Sequence, residues 1–88
     1  MKYQALKQLK TKSKLLKMCD TLKEAHDLLT GQEKATFREL SYIGQFPVYS
    51  NGKNTYSIQG AFMLENGSHV VCGLDKEDVE YYKIIFNN

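Results

Sequence analysis

The sequence has no tryptophan, a single proline, two cysteines and only one arginine among its 12 cations, and each scarcity excludes something. Cys19 and Cys72 lie far apart, and no secretory leader precedes them. A disulfide framework and an oxidising compartment are therefore not expected. Its longest uninterrupted apolar run is Ala61 to Leu64, far short of the roughly 20 residues needed to cross a bilayer. The lysine-rich start lacks the apolar stretch of roughly 7–15 residues that a signal peptide requires, because Lys10, Lys12, Lys14 and Lys17 interrupt its leucines. A cytoplasmic location without membrane contact is the expectation.

What the chain does contain is the make-up of one small domain spanning residues 1–88. Eighty-eight residues cannot support two cores. At 42% hydrophobic and 25% charged residues, the chain is too apolar for a disordered tail. The skew toward lysine is that of AT-rich coding, as in low-GC bacteria, their phages and mobile elements.

The net charge of +2 hides a division. Residues 1–18 carry six lysines and no acid, whereas residues 19–88 carry six cations and ten acids. The chain reads as a basic arm on an acidic body.

Within that arm, Leu6, Leu9, Ser13 and Leu16 recur at the i, i+3, i+7, i+10 spacing of one helix face, with Lys7, Lys10, Lys14 and Lys17 one position on. The spacing predicts a first helix with a lysine stripe beside a leucine seam. Thr21-Leu22-Lys23-Glu24 is a capping box that predicts a second helix, closing near Gly31 with Leu22, Ala25 and Leu29 inward. Residues 1–31 thus form a basic helical layer. Over 32–43, Phe37, Leu40 and Ile43 fit a third helix better than a strand.

The remainder, 44–88, reads as a β-meander. Residues 54–64 alternate, with Tyr56, Ile58, Gly60, Phe62 and Leu64 on one face, and two Asn-Gly turns bracket them. A two-residue loop at Asn66-Gly67 pairs Phe62 with Val71 and Ala61 with Cys72. A three-residue loop over Asn51-Gly52-Lys53 pairs Val48 with Tyr56. Val79 to Phe86 is rich in β-formers and reads as a fourth strand. In this register Ala61, Met63, Val70 and Cys72 share the face opposite Phe62, so both sides of the hairpin are apolar. The expected fold is α+β, with two or three N-terminal helices packed on an antiparallel meander of three to four strands.

Catalytic and metal chemistry find little support. Cys19 and His26 are too far apart along one helix to share a zinc ion, and His69 and Cys72 point to opposite faces of a strand. The chain carries no phosphate-binding or nucleophile-elbow glycine pattern. No cofactor, metal or enzymatic activity is expected, and a small metal-free nuclease stands third among the readings.

The lysine stripe is the leading functional signal, since no acid within residues 1–18 neutralises it. The favoured reading is a non-catalytic docking protein, a regulator or stoichiometric inhibitor of phage or mobile-element type. It would bind a protein partner with an acidic surface through Lys7, Lys10, Lys14, Lys17, Met63 and Val70. A homodimer through the second sheet face is a further option. The alternative is a DNA-binding regulator whose 21–43 segment resembles a helix-turn-helix, with Gln32, Lys34 and Arg38 toward the groove.

Overall fold

A computed structural model describes residues 1–41 and 46–86. The chain is mostly β. Strands β1 (Lys2–Gln8) and β2 (Ser13–Cys19) form a hairpin, followed by the short helix α1 (Leu22–Asp27) and a π-helical segment, Leu28–Gln32. Strands β3 (Thr36–Leu40), β4 (Pro47–Ser50), β5 (Thr55–Met63) and β6 (His69–Cys72) come next, and helix α2 (Lys76–Phe86) closes the described chain. All six strands join one antiparallel sheet in the order β2-β1-β5-β4-β3, and β6 pairs with β5. Because β1 occupies one edge of β5 along residues 55–61, β4 and β6 follow each other along its opposite edge.

The expected layer of N-terminal helices on a meander is overturned. Residues 2–19 are two strands, joined where the Leu9 amide donates to the Lys12 carbonyl across Lys10-Thr11. The leucine spacing misled because the sheet, not the segment itself, decides its state: β1 is paired with β5 along the whole of its own length, and a weak local preference yields to that pairing.

Residues 36–40 are also a strand, against the expected third helix, whereas Ile43 lies outside the described residues. Val79 to Phe86, expected to be a strand, is helical. There Asp75 caps the start: its carboxylate accepts from the Asp78 amide at 2.9 Å and its carbonyl from the Val79 amide at 3.0 Å. Glu77 and Asp78 in the first turn and Lys83 in the last complement the helix dipole.

Helix α1 follows its sequence signals. Thr21 Oγ1 accepts from the Glu24 amide at 3.1 Å, and Ala25 and Leu29 are buried. Gly31 does not stop it with a left-handed turn; the chain passes through the π-helical segment, and Lys34 adopts the positive φ of 54° instead.

One sheet face carries Tyr3, Ala5, Cys19, Tyr49, Tyr56 and Ile58, and the helical segments cover it with Ala25, Leu29 and Tyr82, joined by Leu74 from the connection before α2. This is the core. On the other face Ser57 and Ala61 are buried among their cross-strand neighbours, Leu6, Val48, Lys2 and Val71. The Ser57 hydroxyl donates to the Pro47 carbonyl at 2.9 Å, so its burial leaves no hydroxyl unmatched.

Both Asn-Gly turns form, each one residue away from the expected register. Asn51 and Asn54 flank a Gly52-Lys53 loop with Gly52 at φ 88°, and Tyr49 rather than Val48 faces Tyr56. This register places both tyrosines in the core. At the second turn the loop is Glu65-Asn66-Gly67 with Gly67 at φ 87°, the Leu64 amide donating to Ser68 and the Gly67 amide to Leu64. Phe62 therefore pairs with Val70 and Met63 with His69. A one-residue slip exchanges faces, so Met63 and Val70, expected together, project from opposite sides.

Candidate functional site

Three regions combine chemistry with exposure. The first is the β5–β6 hairpin. Phe62 and Met63, 52% and 62% exposed, stand beside exposed Leu64, Val70 and Val71. Phe62 and Val70 form a cross-strand pair on one side, and Ala61 with Val71 and Met63 with His69 form pairs on the other. Alternation normally buries one face of a strand pair and wets the other. Here both faces beyond Ala61 are apolar and exposed.

The second region is the lysine-bearing end of the sheet. Lys7 and Lys14 are direct cross-strand partners. Lys17, opposite Ala5, projects from that same side and lies 3.8 Å from Glu24. Lys10 sits in the β1–β2 turn. The four lysines expected on a helix stripe thus remain neighbours on a hairpin, three of them on one face. Lys2 is paired with Asp20 at the other end of β1.

The third region is a cleft of about 410 Å³ between α1 and α2, lined by Leu22, Lys23, His26, Glu77, Asp78, Tyr81 and Tyr82. Behind it runs a hydrogen-bonded chain: His26 Nδ1 to Tyr49 Oη at 2.6 Å, and Tyr49 Oη to Tyr82 Oη at 2.7 Å. Phe37 meets the Tyr49 ring edge-on and the Tyr82 ring at a shallower tilt. Burial lowers the His26 pKa, and burial raises those of Tyr49 and Tyr82. The imidazole is therefore neutral at neutral pH, and the phenols are hydrogen-bonding groups, not nucleophiles. Tyr3 donates to Asp78 Oδ2 at 2.6 Å, and desolvation of that tyrosine raises its pKa. These bonds clamp α2 to the sheet.

The helix-turn-helix residues are not brought onto a recognition helix. Gln32 ends the π-helical segment, Lys34 is the left-handed residue after it, and Arg38 is exposed on strand β3. A strand at 36–40 removes the second helix that such a motif requires.

Cys19 is buried and Cys72 half-buried, both as free thiols. Burial, with Glu24 nearby, raises the Cys19 pKa and keeps it a thiol. His69 and Cys72 do lie on opposite faces of β6, paired with Met63 and Gly60 respectively. Among the described residues, no helix is long and apolar enough to cross a membrane.

Fold and surfaces together define a small antiparallel-sheet protein with an apolar hairpin and a lysine-rich end. No family model, curated protein or solved structure matches this chain.

The sequence missed the tyrosine–histidine chain. Its signal was present in the concentration of tyrosines in the second half, but His26 joins them only because α1, packed on β1 and β2, carries it to Tyr49.

Proposed function

We propose that this protein is a non-catalytic docking module, a regulator or stoichiometric inhibitor, that seats its β5–β6 hairpin in a protein partner. The observation that carries this reading is the exposure of Phe62, Met63, Leu64, Val70 and Val71 on both sides of one two-stranded projection. Contiguous apolar surface of this kind marks an interaction site in a small folded chain. A two-faced hairpin fits a groove better than a flat patch, because both rows of side chains then leave water.

Docking through the hairpin does not use the lysines. They gather near Thr55, at the start of the nine-residue β5, and the hairpin begins near its end. At about 3.3 Å per residue the eight steps from Thr55 to Met63 put roughly 26 Å between the two ends of that strand.

The test is capture from lysate of the native host at low salt and at about 0.3 M salt, with and without nuclease. A stoichiometric protein should be retained under all conditions by the natural chain and by Lys10→Gln, and lost with Met63→Asp. Because Met63 is exposed, that substitution should alter stability by no more than about 0.5 kcal/mol. Retention of the same protein by Met63→Asp would exclude the hairpin as the docking element.

A further inference from the structure

The fold assembles a cationic end that no single stretch of sequence displays. Strands β1, β4 and β5 meet there through the Gln8–Thr55 and Ser50–Thr55 pairs, with β2 and β3 joining through Ser13–Gln8 and Thr36–Ser50. Three connections therefore lie side by side: the β1–β2 turn with Lys10 and Lys12, the β4–β5 turn with Lys53, and the segment before β3 with Lys34. Asn51 Nδ2 donates to the Glu33 carbonyl at 3.0 Å, which fixes the last of these against the second. Lys7 and Lys14 complete the group from the adjoining strand ends.

Among the described residues, none of Lys7, Lys10, Lys12, Lys14, Lys34 and Lys53 lies within ion-pair distance of an acid. The one acid in this region is Glu33, whose carboxylate accepts from the Tyr56 hydroxyl and from the Gln32 amide. Of the lysines with described ion pairs, Lys2, Lys23 and Lys83 lie elsewhere, and Lys17, on the same side of the hairpin as Lys14, is held by Glu24. Six of the cations without an ion pair among the described residues are collected at this end, while the other two, Arg38 on β3 and Lys76 at the start of α2, lie outside the group.

The Lys7–Lys14 pair sharpens the point. Like charges directly opposite each other in an antiparallel pair destabilise it, and an anion lying between them relieves that repulsion.

We propose that this lysine end binds the phosphate backbone of nucleic acid without reading base sequence. Composition separates a polynucleotide from an acidic protein. Protein interfaces are depleted in lysine and enriched in tyrosine, tryptophan and arginine. This end offers six lysines as point charges, has no arginine, and keeps its tyrosine, Tyr56, buried. Such a surface suits regularly spaced phosphates and contains nothing to read base edges. The inference is independent of hairpin docking, and Met63→Asp should leave it untouched.

The experiment is fluorescence anisotropy of the full chain with labelled 30-nucleotide single strands and 30-base-pair duplexes, each in two unrelated sequences, from 50 to 300 mM KCl. For four phosphate contacts, the log–log salt slope should be about −4 on duplex and about −3 on single strand. The form bound more tightly then identifies the source of the phosphates. The two sequences of each form should bind within a factor of two of each other.

Lys14→Gln should weaken binding, flatten the slope by about one and melt no lower than the natural chain, because it removes the repulsive pair. Lys12→Gln, in an exposed turn, gives the same reading without touching that pair. Absence of binding at 50 mM KCl would overturn the proposal. So would poly-glutamate competing as well as the oligonucleotide, charge for charge, since the end would then serve acidic protein. A strong sequence preference, or unchanged binding in both lysine variants, would equally reject it.

Discussion

His26 occupies a position where one proton decides which way a hydrogen bond between α1 and β4 runs. Its Nδ1 sits 2.6 Å from the Tyr49 hydroxyl, which in turn contacts Tyr82 of α2. If Tyr82 donates to Tyr49 and Tyr49 to Nδ1, each hydroxyl has a role, and the imidazole must be neutral to accept. Burial acts in the same direction and holds the His26 pKa below its ordinary value. The unfolded chain, with a histidine pKa near 6.5, therefore binds a proton more readily than the folded one. Stability from this site is present above about pH 6.5 and declines as the pH falls through that value toward the lower folded pKa. Thermal melts at pH 7.5 and 5.5 should show a drop in Tm for the natural chain. His26→Gln, which cannot titrate, should show a smaller drop between the same two pH values, and an equal drop would assign the effect to other groups.

Elements were legible where a local device fixed them, as with the Thr21 cap of α1, the alternation of β5 and the two Asn-Gly turns. They were illegible where a bulge altered the period. In β3 the register shifts between Phe37 and Glu39, so Arg38 is an inserted residue and Leu40 returns to the side of Phe37. A spacing of three thus arises within a strand and imitates a helix. The same happens in β2, where the shift around Leu16 returns Lys17 to the side of Lys14. The lysine stripe was therefore real as a neighbourhood and wrong as a helix. In α2 the aromatic and β-branched residues favoured a strand, and the Asp75 cap with its acidic first turn outweighed them.

Register also determines which glycines matter. A Cβ on Gly60 would come within 3.0 Å of Cys72 Sγ and 3.2 Å of the Gly73 carbonyl oxygen, as well as 2.9 Å from Met1 Sδ. Met1 is exposed, but the Gly73 carbonyl, one residue past β6, does not move without disturbing the adjoining Gly60–Cys72 pair. Gly60→Ala should lower stability by about 1–3 kcal/mol, a fall of several degrees in Tm for a domain of this size. Gly31→Ala meets nothing within 4 Å, and Gly31 lacks a positive φ. It should be neutral or raise stability by up to about 1 kcal/mol. Parallel denaturation of the two variants checks both, and equal effects would remove the close approach at Gly60 as the cause.

At the scale of the whole molecule, the sequence showed the charge division but not its geometry. The acidic body is in part the counterion of the arm: Asp20 and Glu24 take Lys2 and Lys17, leaving the turn lysines unmatched. Lys34 and Lys53 join those lysines only because β3, β4 and β5 end beside β1. Likewise, the apolar hairpin emerges from β5 at its far end, where β6 is the last strand on that edge. One strand thus separates two surfaces of opposite chemistry by roughly 26 Å from end to end, well beyond the range at which substitutions couple through shared contacts. Their effects should therefore be independent. Lys12→Gln should weaken oligonucleotide binding by the same factor whether or not Met63→Asp is present, and Met63→Asp should abolish protein capture whether or not Lys12→Gln is present. Titration of all four chains against labelled duplex, alongside capture of the partner, measures this directly. Coupling above about 0.5 kcal/mol would mean that the two ends meet a single continuous partner surface.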